Sequence, residues 1–120
     1  MLKLQMGAFE SRFADIIWEN EPITASQLAK FGQAELNWKK TTSYTVLKRL
    51  CDKGIFHNDN GTVTSCLSRD EFRARQSENF VKNTFEGSLP AFLAAFTSRQ
   101  ALSQEDVAEL RRMVAEFEEK

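Results

Sequence analysis

The chain has 120 residues, enough for one domain or for a small domain with an appended segment. Its 42% hydrophobic and 28% charged residues are typical of a folded protein and give no indication of disorder. No apolar run approaches the roughly 18 residues of a membrane span, and the N-terminal stretch MLKLQMGAFESRF lacks the apolar core of a signal peptide. We therefore expect a cytoplasmic protein with no membrane partner.

The charges are unevenly distributed along the chain. The net charge of −1 by itself argues against a strongly basic nucleic-acid-binding protein. Residues 36–53, however, hold five basic residues and one acidic residue, a net charge of +4. Residues 103–120 hold three basic and six acidic residues, a net charge of −3. A basic segment and an acidic one, far apart in the chain, would orient the protein on a polyanion.

Two helices joined by a short turn are predicted first. Helical spacing predicts a helix from Ala8 to Asn20, which should end before Pro22 because proline disfavours helix in the residue before it. Its expected core-facing residues are Phe9, Phe13, Ile16 and Ile17. Thr24 and Gln27 then match a capping box, which predicts a second helix from Ala25 to about Ala34.

The third predicted helix begins at about Lys40 and ends at Gly54, a favourable C-terminal cap. Its core-facing stripe has the i, i+3, i+4, i+7 spacing and consists of Ser43, Val46, Leu47 and Leu50. The opposite face consists of Thr41, Thr42, Tyr44, Thr45, Lys48 and Arg49. An ordinary solvated helix face usually carries both basic and acidic residues. This face has hydroxyls and cations but no carboxylate, which indicates a surface that binds a polyanion. The alternative is an ordinary surface helix whose cations are merely solvated. Because a short linker joins the second and third helices, the two together are predicted to form a helix-turn-helix.

A β-hairpin is predicted directly after the third helix. Residues 55–58 and 62–67 are predicted to form two short strands, and they flank Asp59-Asn60-Gly61, which carries the Asn-Gly hairpin signal. A hairpin in this position is the wing of a winged helix-turn-helix. Because the tip has no Lys or Arg, we expect the wing to make only a weak contact with DNA.

The remaining chain is predicted to form three helices that are rich in phenylalanine. The first should run from the capping box at Ser68 to about Glu86, the second from Leu89 to Ser98, and the third from Ser103 onward. The aromatic residues of this tail are Phe72, Phe80, Phe85, Phe92, Phe96 and Phe117. Three short helices cannot bury this much apolar surface alone, so we expect a second copy of the tail to cover it in a homodimer. The alternative is that the tail folds back on its own winged domain.

The predicted fold class is therefore mainly α with a small β-hairpin. A winged helix-turn-helix DNA-binding domain is expected in residues 1–67, and a helical dimerisation region in residues 68–120. The residues expected in the dimer interface are Phe80, Phe85, Leu89, Phe92, Leu93, Phe96, Leu110, Val114 and Phe117.

The sequence gives no indication of catalysis, a metal or a cofactor. Cys51, His57 and Cys66 could offer three ligands if the fold brought them together, but their spacing matches no metal motif. We expect both cysteines to be small, partly buried apolar residues. A single histidine in a hairpin, without a paired nucleophile or orienting acid, argues against an enzyme.

Specific residues in four segments match one known family. In the first helix they are Glu10, Phe13, Ile17 and Trp18, and at the start of the second they are Thr24 and Leu28. The most specific match lies in the third helix, at Trp38, Thr42, Thr45, Leu47, Arg49, Leu50, Lys53 and Gly54. In the tail the matching residues are Phe85, Gly87, Ser88 and Leu89. On these residues nearly the whole chain resembles the BlaI/MecI penicillinase-repressor family, which also contains copper-responsive repressors of the CopY type.

The resemblance implies a homodimeric transcriptional repressor that binds an inverted-repeat operator in the major groove of double-stranded DNA. It implies that Thr42 and Thr45 face bases and that Arg49 lies near the phosphate backbone. The outward face of the helix adds three further contact residues, namely Thr41, Tyr44 and Lys48. Lys40 is expected to supply the basic contact for which family members have a Lys at the position of Thr41. A function of a different class, a winged-helix protein-interaction module without operator binding, remains as the alternative.

The sequence departs from the family in ways that affect capping and induction. Family members usually begin the third helix with a Ser cap and a Lys two positions later, where this chain has Lys39 and Thr41, and Ser43 replaces a core valine. The β-lactam-responsive members are inactivated by cleavage of an Asn-Phe bond, but Ala95-Phe96 occupies the comparable region here. The paired CxC motifs of copper-responsive members do not occur. A regulatory protease or an unknown inducer is thus a candidate partner.

Overall fold

The computed structural model describes residues 5–119. Residues 1–4 of the N-terminal stretch, and Lys120 of the acidic segment, lie outside this range. In chain order the elements are α1 (Ala8–Asn20), β1 (Ile23–Thr24), α2 (Ala25–Leu36), α3 (Lys40–Asp52), β2 (Phe56–Asp59), β3 (Thr62–Ser65), α4 (Arg69–Phe85), α5 (Leu89–Thr97) and α6 (Gln104–Glu118). The predicted class, mainly α with a small sheet in a winged helix, is confirmed.

The strands form one antiparallel sheet in the order β1-β3-β2. The predicted hairpin is confirmed, and its turn residues Asn60 and Gly61 both have positive φ, of 51° and 94°. The wing also has a third strand that was not predicted, because its two residues are too few to show a period of two. In this strand the buried Ile23 pairs with Val63 of β3.

The chain divides into two compact units, and the division falls between Glu78 and Asn79 inside α4. The core of the first unit is formed by side chains of α1, α2, α3, the sheet and the start of α4. Its buried members are Phe13, Ala14, Ile16, Ile17, Ile23, Leu28, Val46, Leu47, Leu50, Ile55, Phe56, Val63, Leu67 and Phe72. Phe72 therefore belongs to this core, which corrects its assignment to the apolar surface of the tail.

Helix α1 has the predicted limits, but one of its predicted core residues is exposed. Phe9 has 65% of its surface exposed, whereas Phe13, one turn later, is fully buried. The physical reason is that the core begins at the second turn of α1. In the first turn it is Glu10 that contacts another helix, through ion pairs with Arg49 and Lys53.

Helix α2 begins with the predicted capping box at Thr24 and Gln27 and extends to Leu36, two residues beyond its expected end. It ends at Asn37, whose left-handed φ of 55° lets its backbone N–H bond to the Gly32 carbonyl. The linker to α3 is therefore shorter than predicted. This short connection keeps α2 and α3 in direct contact.

The second unit consists of the last part of α4, α5 and α6, and contains a cluster of phenylalanine rings. Phe92 contacts the rings of Phe80, Phe85 and Phe96, at centroid distances of 6.1, 5.7 and 6.2 Å. None of the described residues in this unit, 79–119, is buried. No helix within residues 5–119 is long and apolar enough to cross a membrane.

Candidate nucleic-acid interface

Helix α3 has the two faces that its sequence predicts. Ser43, Val46, Leu47 and Leu50 are its buried residues. The seven residues predicted to contact DNA are all exposed, namely Lys40, Thr41, Thr42, Tyr44, Thr45, Lys48 and Arg49. The helix follows α2 after three residues and packs against it, so this polar face is held on a rigid support.

Several polar groups on this face are oriented by contacts within the helix. The Thr45 hydroxyl donates a hydrogen bond to the Thr41 carbonyl at 2.9 Å, which leaves its oxygen lone pairs and its methyl group for an external partner. The Lys40 ammonium lies 5.7 Å from the centroid of the Tyr44 ring, within the range of a cation–π contact. The first turn of α3 therefore presents a cation and a phenol side by side.

The other cations of α3 have acidic partners. Lys48 Nζ lies 3.4 Å from Asp52 Oδ2 in a well-exposed i, i+4 pair. Arg49 Nη1 lies 3.2 Å from Glu10 Oε1, and Lys53 Nζ lies 3.0 Å from Glu10 Oε2. The exposed pairs stabilise the free protein little, at about 0–1 kcal/mol each, so a phosphate can compete for these cations.

Glu10 carries a charge that α3 stabilises. Burial raises the pKa of Glu10, but the hydrogen bonds and positive charges of Lys53 and then Arg49 lower it by more, so the net pKa lies below the ordinary value of 4.5. Glu10 is therefore ionised at neutral pH and balances part of the positive charge of α3. Helical periodicity places Glu10 on the outer side of α1 and does not predict its contact with α3. In the sequence, only the match of Glu10 to the family pattern marked this residue as important.

The start of α3 lacks a side-chain cap. Lys39 occupies the N-cap position with extended φ and ψ and makes no side-chain hydrogen bond to the helix. This agrees with the departure noted in the sequence, where lysine replaces the usual serine. The loss costs about 1 kcal/mol of helix stability and leaves the first backbone N–H groups of α3 without a capping side chain.

The tip of the wing is fixed by local hydrogen bonds. Asn58 Oδ1 accepts a bond from Gly61 N at 2.9 Å, and the Gly61 carbonyl accepts a bond from Ala25 N at 2.8 Å. The tip is thereby attached to the start of α2. The exposed side chains around the turn include Asp59 and no cation, which is consistent with a weak contact to a phosphate backbone.

The cysteines and the histidine do not form a site. Within residues 5–119 no group of three or more His, Cys, Asp or Glu side chains could hold a metal ion. Cys51 is half-buried, whereas Cys66 is exposed, so the expectation of partial burial holds for Cys51 only. Burial, and to a lesser degree the proximity of Cys66 and Asp52, raise the pKa of the Cys51 thiol, which makes it less reactive.

The residues predicted for the dimer interface lie on one compact unit and retain exposed surface. Phe80, Leu89, Phe96, Val114 and Phe117 are exposed by 47–69%. The others, Phe85, Phe92, Leu93 and Leu110, are half-buried. Exposed apolar surface on this scale is typical of an interaction site.

A helix-turn-helix with an exposed cationic third helix and a three-stranded wing defines a winged-helix protein of the kind that regulates transcription. A model of the penicillinase repressor family matches residues 6–116. The chain belongs to the penicillinase repressor family.

Individual relatives match over almost their whole length. The methicillin resistance regulatory protein MecI of Staphylococcus aureus is 25% identical over 114 residues, which cover 92% of this chain and 93% of the relative. MecI of Staphylococcus epidermidis is 24% identical over the same length. The penicillinase repressor of Bacillus licheniformis is 25% identical over 116 residues, which cover 93% of this chain and 91% of the relative.

Proposed function

We propose that this protein is a homodimeric transcriptional repressor that binds an inverted-repeat operator in the cytoplasm, with α3 of each protomer in a major groove. The observation that carries the proposal is the composition of the exposed face of α3. Seven hydroxyl, phenol and cationic side chains lie opposite the buried stripe, as a helix inserted into a groove requires. Membership of a repressor family supports the same function and a non-enzymatic role.

The exposed residues divide into two chemical groups. Thr42 and Thr45 have short side chains suited to close approach to base edges, and the free lone pairs and methyl group of Thr45 can contact an amino group or a thymine methyl. The cations, Lys40, Lys48 and Arg49, suit phosphate oxygens. Thr41 and Tyr44 add hydroxyls near the helix start, where uncapped backbone N–H groups also favour a phosphate.

The proposed domain organisation assigns DNA binding to residues 1–67 and dimerisation to residues 68–120. The lack of any buried residue in 79–119 supports the second assignment, because apolar surface of this extent is stabilised when a partner covers it. A second copy of the chain is the proposed partner, since two-fold homodimers are the commonest assembly and match the two half-sites of an inverted repeat.

The bond comparable to the family's cleavage site lies within a helix. Ala95 and Phe96 lie inside α5, and the Phe96 ring packs on Phe92. A regulatory protease would have to unfold this helix locally to reach the bond. Because the asparagine of the family site is replaced, an inducer of another kind is equally compatible with the chain.

A protein-interaction module is the second candidate function. The net charge of −1, the wing tip without a cation, and the acidic partners of Lys48 and Arg49 all favour it over a repressor. The two functions differ in what a charge reversal on α3 should do. A repressor loses DNA binding, whereas an interaction module has no DNA binding to lose.

DNA binding by the unmodified chain and by a Lys48→Glu, Arg49→Glu variant tests the proposal. If both cations of each protomer contact phosphates, affinity should fall by roughly two orders of magnitude between about 50 and 200 mM salt, because condensed counterions are released. The variant should bind at least about tenfold more weakly and remain a dimer. Arg73→Glu, Arg75→Glu on α4 is the control with the same charge change. An affinity that is indifferent to salt, or an equal loss in the control, would contradict the proposal.

A further inference from the structure

Glu10 connects the first turn of α1 to the last turn of α3 through two unequal ion pairs. Its Oε2 lies 3.0 Å from Lys53 Nζ, and its Oε1 lies 3.2 Å from Arg49 Nη1. Arg49 lies in the last turn of α3, and Lys53 is the residue that caps the helix, so the two cations are spaced i, i+4. A single carboxylate thus binds one cation of the helix that is proposed to enter DNA and one cation at its C-terminal end.

The pair with Lys53 is the fixed one. The side chains of Lys53 and Glu10 are only 16% and 19% exposed. The Lys53 ammonium also donates to the Gln5 carbonyl at 2.8 Å, so two acceptors on the chain hold it. These contacts keep the Glu10 carboxylate in place whether or not Arg49 is bound to it.

The pair with Arg49 is the exchangeable one. The Arg49 side chain is 52% exposed, and one nitrogen of its guanidinium contacts Glu10. An ion pair on an exposed side chain is screened by water and salt, so a phosphate can replace the carboxylate. Lys48, with 80% of its side chain exposed, is more accessible to a loosely bound duplex than Arg49 is.

We propose that Glu10 is a specificity-determining residue that retains Arg49 until α3 is seated at an operator. The inference rests on the proposed function. In a loosely bound, non-specific complex the more exposed cations contact the phosphates, and Arg49 stays on Glu10. In the seated complex Arg49 transfers to a phosphate, while Lys53 keeps Glu10 in position. Glu10 therefore weakens binding to non-operator DNA more than binding to the operator.

The test compares Glu10→Gln with the unmodified chain on two duplexes. One is an inverted-repeat duplex selected from a random pool by the unmodified protein, and the other is a scrambled duplex of the same length. Glu10→Gln should tighten binding to the scrambled duplex by about fivefold. The salt dependence on that duplex should steepen by about 1.8, because one phosphate contact is added per protomer. Binding to the selected duplex should change by less than about twofold with an unchanged slope, since Arg49 already contacts a phosphate there.

Glu35→Gln is the matched control, because it removes the same charge from an ion pair with Arg12 that joins α1 to α2 and involves no residue of α3. Equal effects of the two variants, or an equal gain on both duplexes, would overturn the inference and leave the proposed function intact. The absence of salt-dependent DNA binding by the unmodified chain would reject both.

A second measurement does not require any substitution. The side-chain carboxyl ¹³C resonance of Glu10 in the unmodified protein should shift when the selected duplex is added, because Arg49 leaves the carboxylate. It should stay in place when the scrambled duplex is added. A shift with both duplexes, or with neither, would contradict the inference even if Glu10→Gln fails to fold.

Discussion

At the scale of single residues, one contact explains a glycine that helix propensity disfavours. Gly32 lies inside α2, and a Cβ built on it would lie 2.3 Å from Ser43 Oγ of α3. Ser43 is buried, and its hydroxyl has no hydrogen-bond partner within the described chain. The serine that replaces the family's valine therefore lies directly against Gly32 of α2, and the glycine provides the space for its hydroxyl.

We expect Gly32→Ala to destabilise the protein by about 1–3 kcal/mol, because the added methyl group overlaps the Ser43 hydroxyl. The same substitution in a Ser43→Ala background should instead stabilise it by up to about 1 kcal/mol, because alanine is the better helix former. Denaturant unfolding of the four proteins measures this coupling. Equal effects of Gly32→Ala in both backgrounds would show that the hydroxyl is not the obstacle.

At the scale of secondary-structure elements, Trp18 joins α1 to the wing and to α4. Its ring lies 5.1 Å from that of Phe56 in β2 and 5.4 Å from that of Phe72 in α4. Its indole N–H donates to the Leu67 carbonyl at 2.9 Å, at the end of the wing. In β3, the backbone N–H and the hydroxyl of Ser65 donate hydrogen bonds to the Glu21 carboxylate. The hairpin is thus attached through both of its strands, at Phe56 of β2 and at Ser65 of β3.

Trp18→Phe should destabilise the first unit by about 1–3 kcal/mol, because it keeps an aromatic ring but leaves the Leu67 carbonyl without its donor. Trp38→Phe is the control. Trp38 packs on Phe13 through its ring, and its N–H has no acceptor among residues 5–119. We expect a smaller loss in this control, measured by thermal unfolding. If Trp38→Phe lowered the stability as much as Trp18→Phe does, the smaller ring alone would explain both effects, and the hydrogen bond would contribute nothing.

At the scale of the whole molecule, the two units differ in how much they bury. The first unit has a continuous core of side chains that are almost inaccessible to solvent. The second has a cluster of phenylalanines in which Phe80 and Phe96 remain 50% and 47% exposed. Apolar surface of this kind is stabilised when a partner covers it, which is the physical basis for proposing the dimer.

Replacing Phe92 and Phe96 with glutamate should convert the proposed dimer into monomers and weaken DNA binding, because a charged side chain cannot be buried in an apolar interface without a partner. Phe9→Glu is the matched control, since Phe9 is an exposed phenylalanine of the first unit. Sedimentation equilibrium measures the oligomeric state. An unchanged dimer in the double variant would remove the phenylalanine cluster from the interface.

The sequence by itself determined the features that depend on neighbouring residues. The two faces of α3 follow from the 3.6-residue period within 13 residues, and the hairpin follows from Asn60 and Gly61, which adopt the positive φ values of its turn. Capping at Thr24 is likewise local. For this reason the helices, the hairpin and the winged-helix class were predicted, with errors of one or two residues at most of the ends.

Only the tertiary structure decided which distant residues meet. Glu10 is 39 and 43 residues from Arg49 and Lys53, and nothing in the period of α1 distinguishes its carboxylate from a solvated one. The same holds for Phe9, which has the spacing of a core residue and is exposed because the core begins one turn later. Period and capping act over a few residues, whereas ion pairs and the extent of a core depend on how separate helices pack.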